Sequence, residues 1–248
     1  MQATGPHILL IALIFVLAGG VKGVTGMGLP TVSVGLLGLL MAPAEAAAFL
    51  VIPSLVTNAW QFLAGPHRAA TLRRMWPMLL LIGVAAWASA GLITGAAGGH
   101  ATTALGAALI AYAAIGLGKM RLTVRSRHEW WLSPLVGAAT GIVTGATGVF
   151  VIPAVPYLQA LGLEKDDLVQ ALGLSFTVST VALAAGLASY GALHLTAVSA
   201  SVLCTAPALV GMWLGQMVRA RVDPATFRMV FFVGLLVLGG DLVARAVV

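Results

Sequence analysis

The chain has 248 residues, 60% of them hydrophobic and only 8% charged, with a mean hydropathy of +1.04; a water-soluble globule of this length would need far more charge outside, so the composition points to a membrane protein. The formal net charge of +6 lies in short connectors between apolar runs rather than in one patch, which argues against a nucleic-acid partner and for a topology signal. One cysteine, Cys204, excludes a disulfide framework and a cysteine-rich metal site.

A membrane-spanning helix takes roughly 20 mainly apolar residues, and eight such runs follow one another along the chain. The first, 8–41, would be about 50 Å long as a single helix at 1.5 Å per residue, against a hydrocarbon core of roughly 30 Å. It must fold back or break. No positively charged stretch precedes it and no small-residue cleavage pattern follows, so it is expected to be structural rather than a signal peptide. The break falls at "GGVKGVTGMGLP" (19–30), which packs five glycines, a threonine, a proline and Lys22 into twelve residues. Non-helical backbone at membrane depth is tolerated only where protein buries it or water lines it. Gly26 and Gly28 are candidates for bringing peptide N–H groups to a ligand, Thr25 adds a hydroxyl, and Pro30 suits the first turn of a following half-helix. Lys22 is a charge inside an apolar run, and such a charge is a functional hypothesis by default; the competing readings are snorkelling and capping of broken-helix carbonyls.

The second run, 44–65, carries Ser54, Thr57, Asn58 and Gln61 at i, i+3, i+4 and i+7, one polar face of an otherwise apolar helix. Runs at 77–97 and 101–119 follow, bounded by the basic stretches "HRAATLRR" (67–74) and "KMRLTVRSR" (119–127). The fifth run, 132–159, is oversized like the first and holds a similar interruption, "GIVTGATGVFVIP" (141–153), in which Thr144 and Gly145 align with Thr25 and Gly26, with Thr147 and Gly148 beside them. The sixth, 166–190, contains "GLSFTVSTVAL" (173–183), which lies opposite "VIPSLVTNAWQ" (51–61), pairing Pro53 with Ser175 and Thr57 with Ser179 and adding Thr177. Runs at 194–218 and 226–246 flank the third basic stretch, "RARVDPATFR" (219–228). The chain therefore divides into two four-element halves, 1–127 and 128–248, within one all-α polytopic membrane domain.

Short basic loops should be cytoplasmic. If every run crossed once, the third basic loop would face the opposite side from the other two. If runs one and five are hairpins that return to the side they entered, all three share one side, both termini lie on the other, and the halves form an inverted repeat as in secondary transporters. Kinked single spans in runs one and five are the alternative the sequence leaves open.

The seven acidic residues lie at or near segment ends, so no deep carboxylate is left to carry a proton or coordinate a cation. The five histidines also lie near ends and no HExxH pairing occurs. No enzyme, metal or cofactor is expected. The bland reading of the glycines is close helix packing, and of the polar faces interhelical hydrogen bonding; the functional reading makes both breaks and both polar faces one midplane anion site, since half-helix N-termini favour anions.

In the order "GGVKGVTGMGLP", "VIPSLVTNAWQ", "GIVTGATGVFVIP" and "LGLSFTVST", the chain resembles the TauE/SafE sulfite exporter family over nearly its whole length and in both halves. Many members carry a Gly-Gly-Gly run after the turn, where this chain reads "GMGLP" and "GATGVF". The resemblance implies an inner-membrane multi-pass transporter of sulfite, sulfonates or related sulfur anions in a bacterium; with the topology that the loop charges favour, both termini are then expected to be periplasmic. The partners expected are a small anionic sulfur-containing substrate and the lipid bilayer, with no nucleic acid; a homodimer is allowed. An anion-selective channel is the rival reading.

Overall fold

The computed structural model describes residues 5–95, 98–118, 122–219 and 221–247. Residues 96, 97 and 119–121, from the ends of two expected runs and the second basic stretch, and residue 220 in the third basic stretch lie outside the described residues. The described chain is helical throughout and contains no strand. Its elements are α1 (Gly5–Thr25), α2 (Leu29–Leu37), α3 (Pro43–Ala64), α4 (Arg68–Ser89), α5 (Gly91–Thr94), α6 (Gly98–Leu117), α7 (Ser126–Thr147), α8 (Ala154–Ala160), α9 (Lys165–Ser189), α10 (Leu195–Arg219) and α11 (Pro224–Val247).

Among the described residues seven helices are long and apolar enough to cross a membrane: α1, α3, α4 continuing into α5, α6, α9, α10 and α11. With Trp, Thr and Gly through its length, α7 is as long but less apolar; its small and polar face, including Gly137, Thr140, Gly141, Thr144 and Gly145, is buried. The first oversized run divides into α1 and the nine-residue α2, and the fifth into α7 and the seven-residue α8. Helices α4 and α7 start at Arg68 and Ser126, ahead of the apolar runs at 77 and 132. Basic side chains in a first turn do not interrupt the backbone ladder, because their heads stay in water while their stems lie along the helix.

The three basic stretches gather at one end of the molecule. Arg74 makes a forked pair with Glu129 at 2.6 and 2.9 Å. His67 Nδ1 lies 2.8 Å from Asp167 Oδ1, the Val124 N–H donates to the Ala160 carbonyl at 2.9 Å, and Arg228 donates to the Gly116 carbonyl at 2.7 Å. The start of α1 and the end of α11 lie at the opposite end, since α1 runs parallel to α10 and α11 antiparallel to α6, as the glycine contacts show.

Gly19 faces the Ala208 carbonyl, Gly20 faces that of Gly211, and Gly23 faces that of Met212, so α1 and α10 run side by side with backbones touching. Gly137, Gly141 and Gly145 face Met78, Ile82 and Ala86 in the same way, which makes α7 parallel to α4. A Cβ added at Gly23 would sit 2.2 Å from the Met212 oxygen, and one at Gly145 would sit 2.5 Å from the Ala86 oxygen; only glycine permits such approach, the usual way helices associate without a hydrophobic driving force. The other packings are also reciprocal: α3 on α10 and α9 on α4, α3 antiparallel to α9, and α6 antiparallel to α11.

Candidate functional site

The two interruptions have one backbone design. Thr25 Oγ1 donates back to the Val21 carbonyl at 2.9 Å and accepts the Met27 N–H at 3.2 Å; Thr147 Oγ1 does the same with Val143 at 2.6 Å and Val149 at 3.1 Å. Gly26 at φ 79° and Gly148 at φ 74° end their helices in the left-handed conformation, their N–H groups donating to Lys22 and Thr144 carbonyls at 2.7 Å. This is the αL helix stop that glycine makes without steric cost. The structural counterpart of Thr25 is therefore Thr147, and that of Gly26 is Gly148, rather than Thr144 and Gly145 as aligned by sequence. A single offset of 122 now joins 22 to 144, 25 to 147, 26 to 148 and 53 to 175. The "TG" at 144–145 repeats the Thr25–Gly26 pair three residues ahead of its structural equivalent, Thr147–Gly148.

The breaks do not meet. Gly26 lies against Gln61 and Val169, and Gly148 against Ala47 and Val34. Ala47 and Gln61 are fourteen residues apart on α3, roughly 21 Å at 1.5 Å per residue. The first break is near the basic end and the second near the opposite end, so a single midplane site formed by both is not what this conformation presents. The peptide N–H groups of Gly26, Met27, Gly148 and Val149 are engaged inside their own turns.

Around the first break lies a cavity of about 400 Å³, lined by Lys22, Gly23, Gly26, Thr57, Trp60 and Gln61, with Gln216 and Arg219 of α10 and Asp166 of α9 toward the basic end. Lys22 is 3% exposed, and its Nζ donates to Oδ1 of Asn58, itself fully buried. No carboxylate pairs with Lys22 among the described residues. An ammonium has only donors, so the oxygen of the Asn58 amide must face it and the NH₂ must face away. That Nδ2 has no protein partner, nor has the Oγ of Ser54 one turn earlier on the same face.

Four of the fifteen residues singled out in the sequence line the cavity: Lys22, Gly26, Thr57 and Gln61. Thr57 Oγ1 donates to the Pro53 carbonyl at 2.8 Å. Both hydrogens of Gln61 Nε2 are taken, by the Gly26 carbonyl at 2.9 Å and the Val169 carbonyl at 3.0 Å, so Gln61 straps the break to α9 and offers only an acceptor to the cavity. Thr25 and Gly28 shape the turn from behind, with Gly28 at φ 100° as N-cap of α2 ahead of Pro30. Asn58 and Ser54 are fully buried on the same α3 face and do not line the cavity. Thr144, Gly145, Thr147 and Gly148 are buried at the far break; Ser175 and Ser179 are fully buried on α9, and Thr177 bonds back to the Gly173 carbonyl at 2.7 Å. Composition alone does not mark Gln216, Arg219 and Asp166 as cavity residues, because each reads there as an ordinary helix-end polar group; only the parallel packing of α10 on α1 brings the first two beside Lys22.

At the basic mouth, Gln170 accepts the His67 N–H at 3.0 Å and donates to the Phe62 carbonyl at 2.9 Å. The Asp167 hydrogen bond, and then its charge, raise the His67 pKa above its ordinary 6.5. With Gly65 and Pro66 lining the cavity, this latch fixes one rim of its mouth.

A family model described as Sulfite exporter TauE/SafE matches residues 11–242. No curated protein and no solved structure matches the chain.

Proposed function

The chain belongs to the sulfite exporter TauE/SafE family, a family of multi-pass membrane transporters, and from that premise we propose that it moves a small sulfur oxyanion, sulfite or a sulfonate, by alternating access. One observation carries the reading: a buried lysine without a carboxylate partner among the described residues, steered by Asn58, at the closed end of a cavity that opens among basic loops. A charge so placed is costly without a counter-ion, and an anion entering past Arg219 supplies one. On the same α3 face the Asn58 Nδ2 and Ser54 Oγ have no partner among the described residues and are available to bind its oxygens once the site rearranges around it.

The two halves, 1–127 and 128–248, act as inverted repeats in which α1 with α2 and α7 with α8 are hairpins returning to the end they entered. Reciprocal packing of α1 on α10 and α7 on α4 supports this, as do the matched turns. The basic end is cytoplasmic by the positive-inside rule, so the cavity faces inward and both termini are periplasmic in a bacterial inner membrane. Export needs no coupling ion. Moving one negative charge outward across about 100 mV, inside negative, releases about 2.3 kcal/mol, enough to sustain roughly a fifty-fold gradient. The protein performs no chemistry on its substrate in this reading, and an anion channel is disfavoured because Val149, Phe150 and Val151 at the opposite break have no exposure.

The test is uptake of radiolabelled sulfite into proteoliposomes. Saturable flux that accelerates with sulfite on the trans side, and is lost in Lys22→Met, is expected. Flux that stays linear in concentration would support a channel, and wild-type flux in Lys22→Met would sink the anion site.

A further inference from the structure

A helical serine or threonine can donate to the carbonyl one turn back, as the buried Ser33, Thr57, Thr144 and Thr180 do to Leu29, Pro53, Thr140 and Phe176. Thr140, Ser175 and Ser179 do not. Each is 0% exposed and each hydroxyl lacks a partner among the described residues. Such a group loses its hydration and gains nothing in return, at a cost of about 1–3 kcal/mol, so three together call for a reason.

They also share one place. Gly141 packs on Ile82 and Val178 on Gly83, so Thr140 on α7 and Ser179 on α9 flank the same turn of α4. Residues on a helix turn by about 100° each. On α9, Val178 faces α4 and Phe176 faces Phe150 of the second break; Ser175 and Ser179, one turn apart, both fall on the arc between them, which α7 borders. Thr140 lies on the α7 stripe of Ser133, which bonds Tyr157 of α8 and so faces the interior. The three residues therefore lie on facing sides of the α4–α7–α9 junction beside the second break. Under the 122-residue offset Ser179 corresponds to Thr57 and Thr144 to Lys22, both of which line the cavity at the basic end.

We propose that Thr140, Ser175 and Ser179 form an outer, uncharged half-site, sealed in this conformation, that takes over the oxyanion from Lys22 when the basic-end cavity closes. This rests on the transport reading above and adds a second position to it. Hydroxyls replace the cation, so the anion is held less tightly there, which suits release at the end opposite the basic loops.

The experiment compares Ser175→Ala/Ser179→Ala with Lys22→Met and wild type, using sulfite for both calorimetric binding to the solubilised protein and uptake into proteoliposomes, together with thermal melts. The double variant is expected to bind sulfite within about two-fold of wild type and to melt no lower, since only unpartnered hydroxyls are removed. Its transport should fall at least roughly ten-fold, the equivalent of one lost charge-assisted hydrogen bond. Wild-type transport in the double variant would overturn the outer half-site and leave the Lys22 site standing. A melt lowered by several degrees, or loss of binding together with transport, would also overturn it, because the hydroxyls would then be structural or part of the first site. Wild-type transport in Lys22→Met would instead sink the Lys22 site and the half-site that receives from it, and no sulfite binding or uptake by wild type would sink the transport reading itself.

Discussion

At the first glycine break Gly26 borders an open cavity with Lys22 at its base, whereas at the second Val149, Phe150 and Val151 close over the turn with no exposure. The helix stops match, from the threonine hydroxyl that caps the turn to the left-handed glycine that ends the helix, and the backbones diverge at Gly28, which is left-handed where its counterpart Phe150 is not. The side chains differ: Lys22, Gln61 and Gly28 at one break stand where Thr144, Leu183 and Phe150 stand at the other. Under the alternating access proposed above, the shared frame would permit both ends to open while the unequal contents decide which end binds.

The contrast is sharpest at Lys22. Lys22→Met should cut transport about ten- to a hundred-fold, as expected when a hydrogen bond to a charged group worth about 1.5–3 kcal/mol is lost, with folded yield unchanged. Its counterpart Thr144→Val should change transport less than about three-fold, since the Thr144 hydroxyl is already engaged by the Thr140 carbonyl at 2.7 Å. Equal losses in the two would erase the difference between the ends. Sulfite uptake measured beside size-exclusion profiles distinguishes these outcomes.

The shared frame is tested by Gly23→Ala and Gly145→Ala. Each new Cβ would collide with a neighbouring helix, at 2.2 Å from the Met212 oxygen or 2.1 Å from Ser89 Oγ, and overpacking of this kind destabilises by about 1–3 kcal/mol. Both variants should melt several degrees lower, and by similar amounts. If Gly145→Ala loses transport with an unchanged melt, Gly145 belongs to the substrate path and not to the α4–α7 contact.

Much of this frame was legible beforehand. Run length exposed the two interruptions, because a helix of 34 residues does not fit a bilayer, and loop charge implied that three basic stretches share an end. Lys22 and the α3 stripe stood out as polar groups in apolar surroundings. The register of the repeat was not legible, since "TG" occurs twice within four residues of the second break, at 144–145 and as Thr147–Gly148, and only hydrogen bonding tells which one caps the helix. Nor was the distance between breaks, which depends on α1 crossing almost the whole molecule before it stops. Gln61 illustrates a third limit: its residue type fits a ligand contact, yet two backbone carbonyls occupy both amide hydrogens.

That strap predicts a moderate effect. Gln61→Leu leaves the Gly26 and Val169 carbonyls without their donor, and two modest hydrogen bonds together contribute about 1–3 kcal/mol. The variant should melt a few degrees lower and bind sulfite more weakly, while Gln61→Glu should do worse, since a carboxylate cannot donate to either carbonyl and places a negative charge beside the cavity. Binding that improves in Gln61→Leu would mean that the strap opposes the anion instead of holding its site.

The smallest effect belongs to the basic-end latch, which has no counterpart at the far break. Hydrogen bonding to Asp167 and the charges of Asp167 and Glu164 hold the His67 pKa above 6.5, against a small opposing effect of desolvation. A group whose pKa is raised on folding adds stability that is fully present below its unfolded value and fades as pH rises through the folded one. The His67–Asp167 pair should therefore hold the cavity mouth most firmly at about pH 6 and loosen as pH climbs past neutrality. Because the histidine is exposed to water, the change should be slight. Limited proteolysis of the 65–67 loop at about pH 6 and about pH 8 reads it directly: wild type should be cut faster at the higher pH, and His67→Gln at one rate in both. Should His67→Gln keep the wild-type pH dependence, the latch rests on the Gln170 bonds alone, which do not titrate.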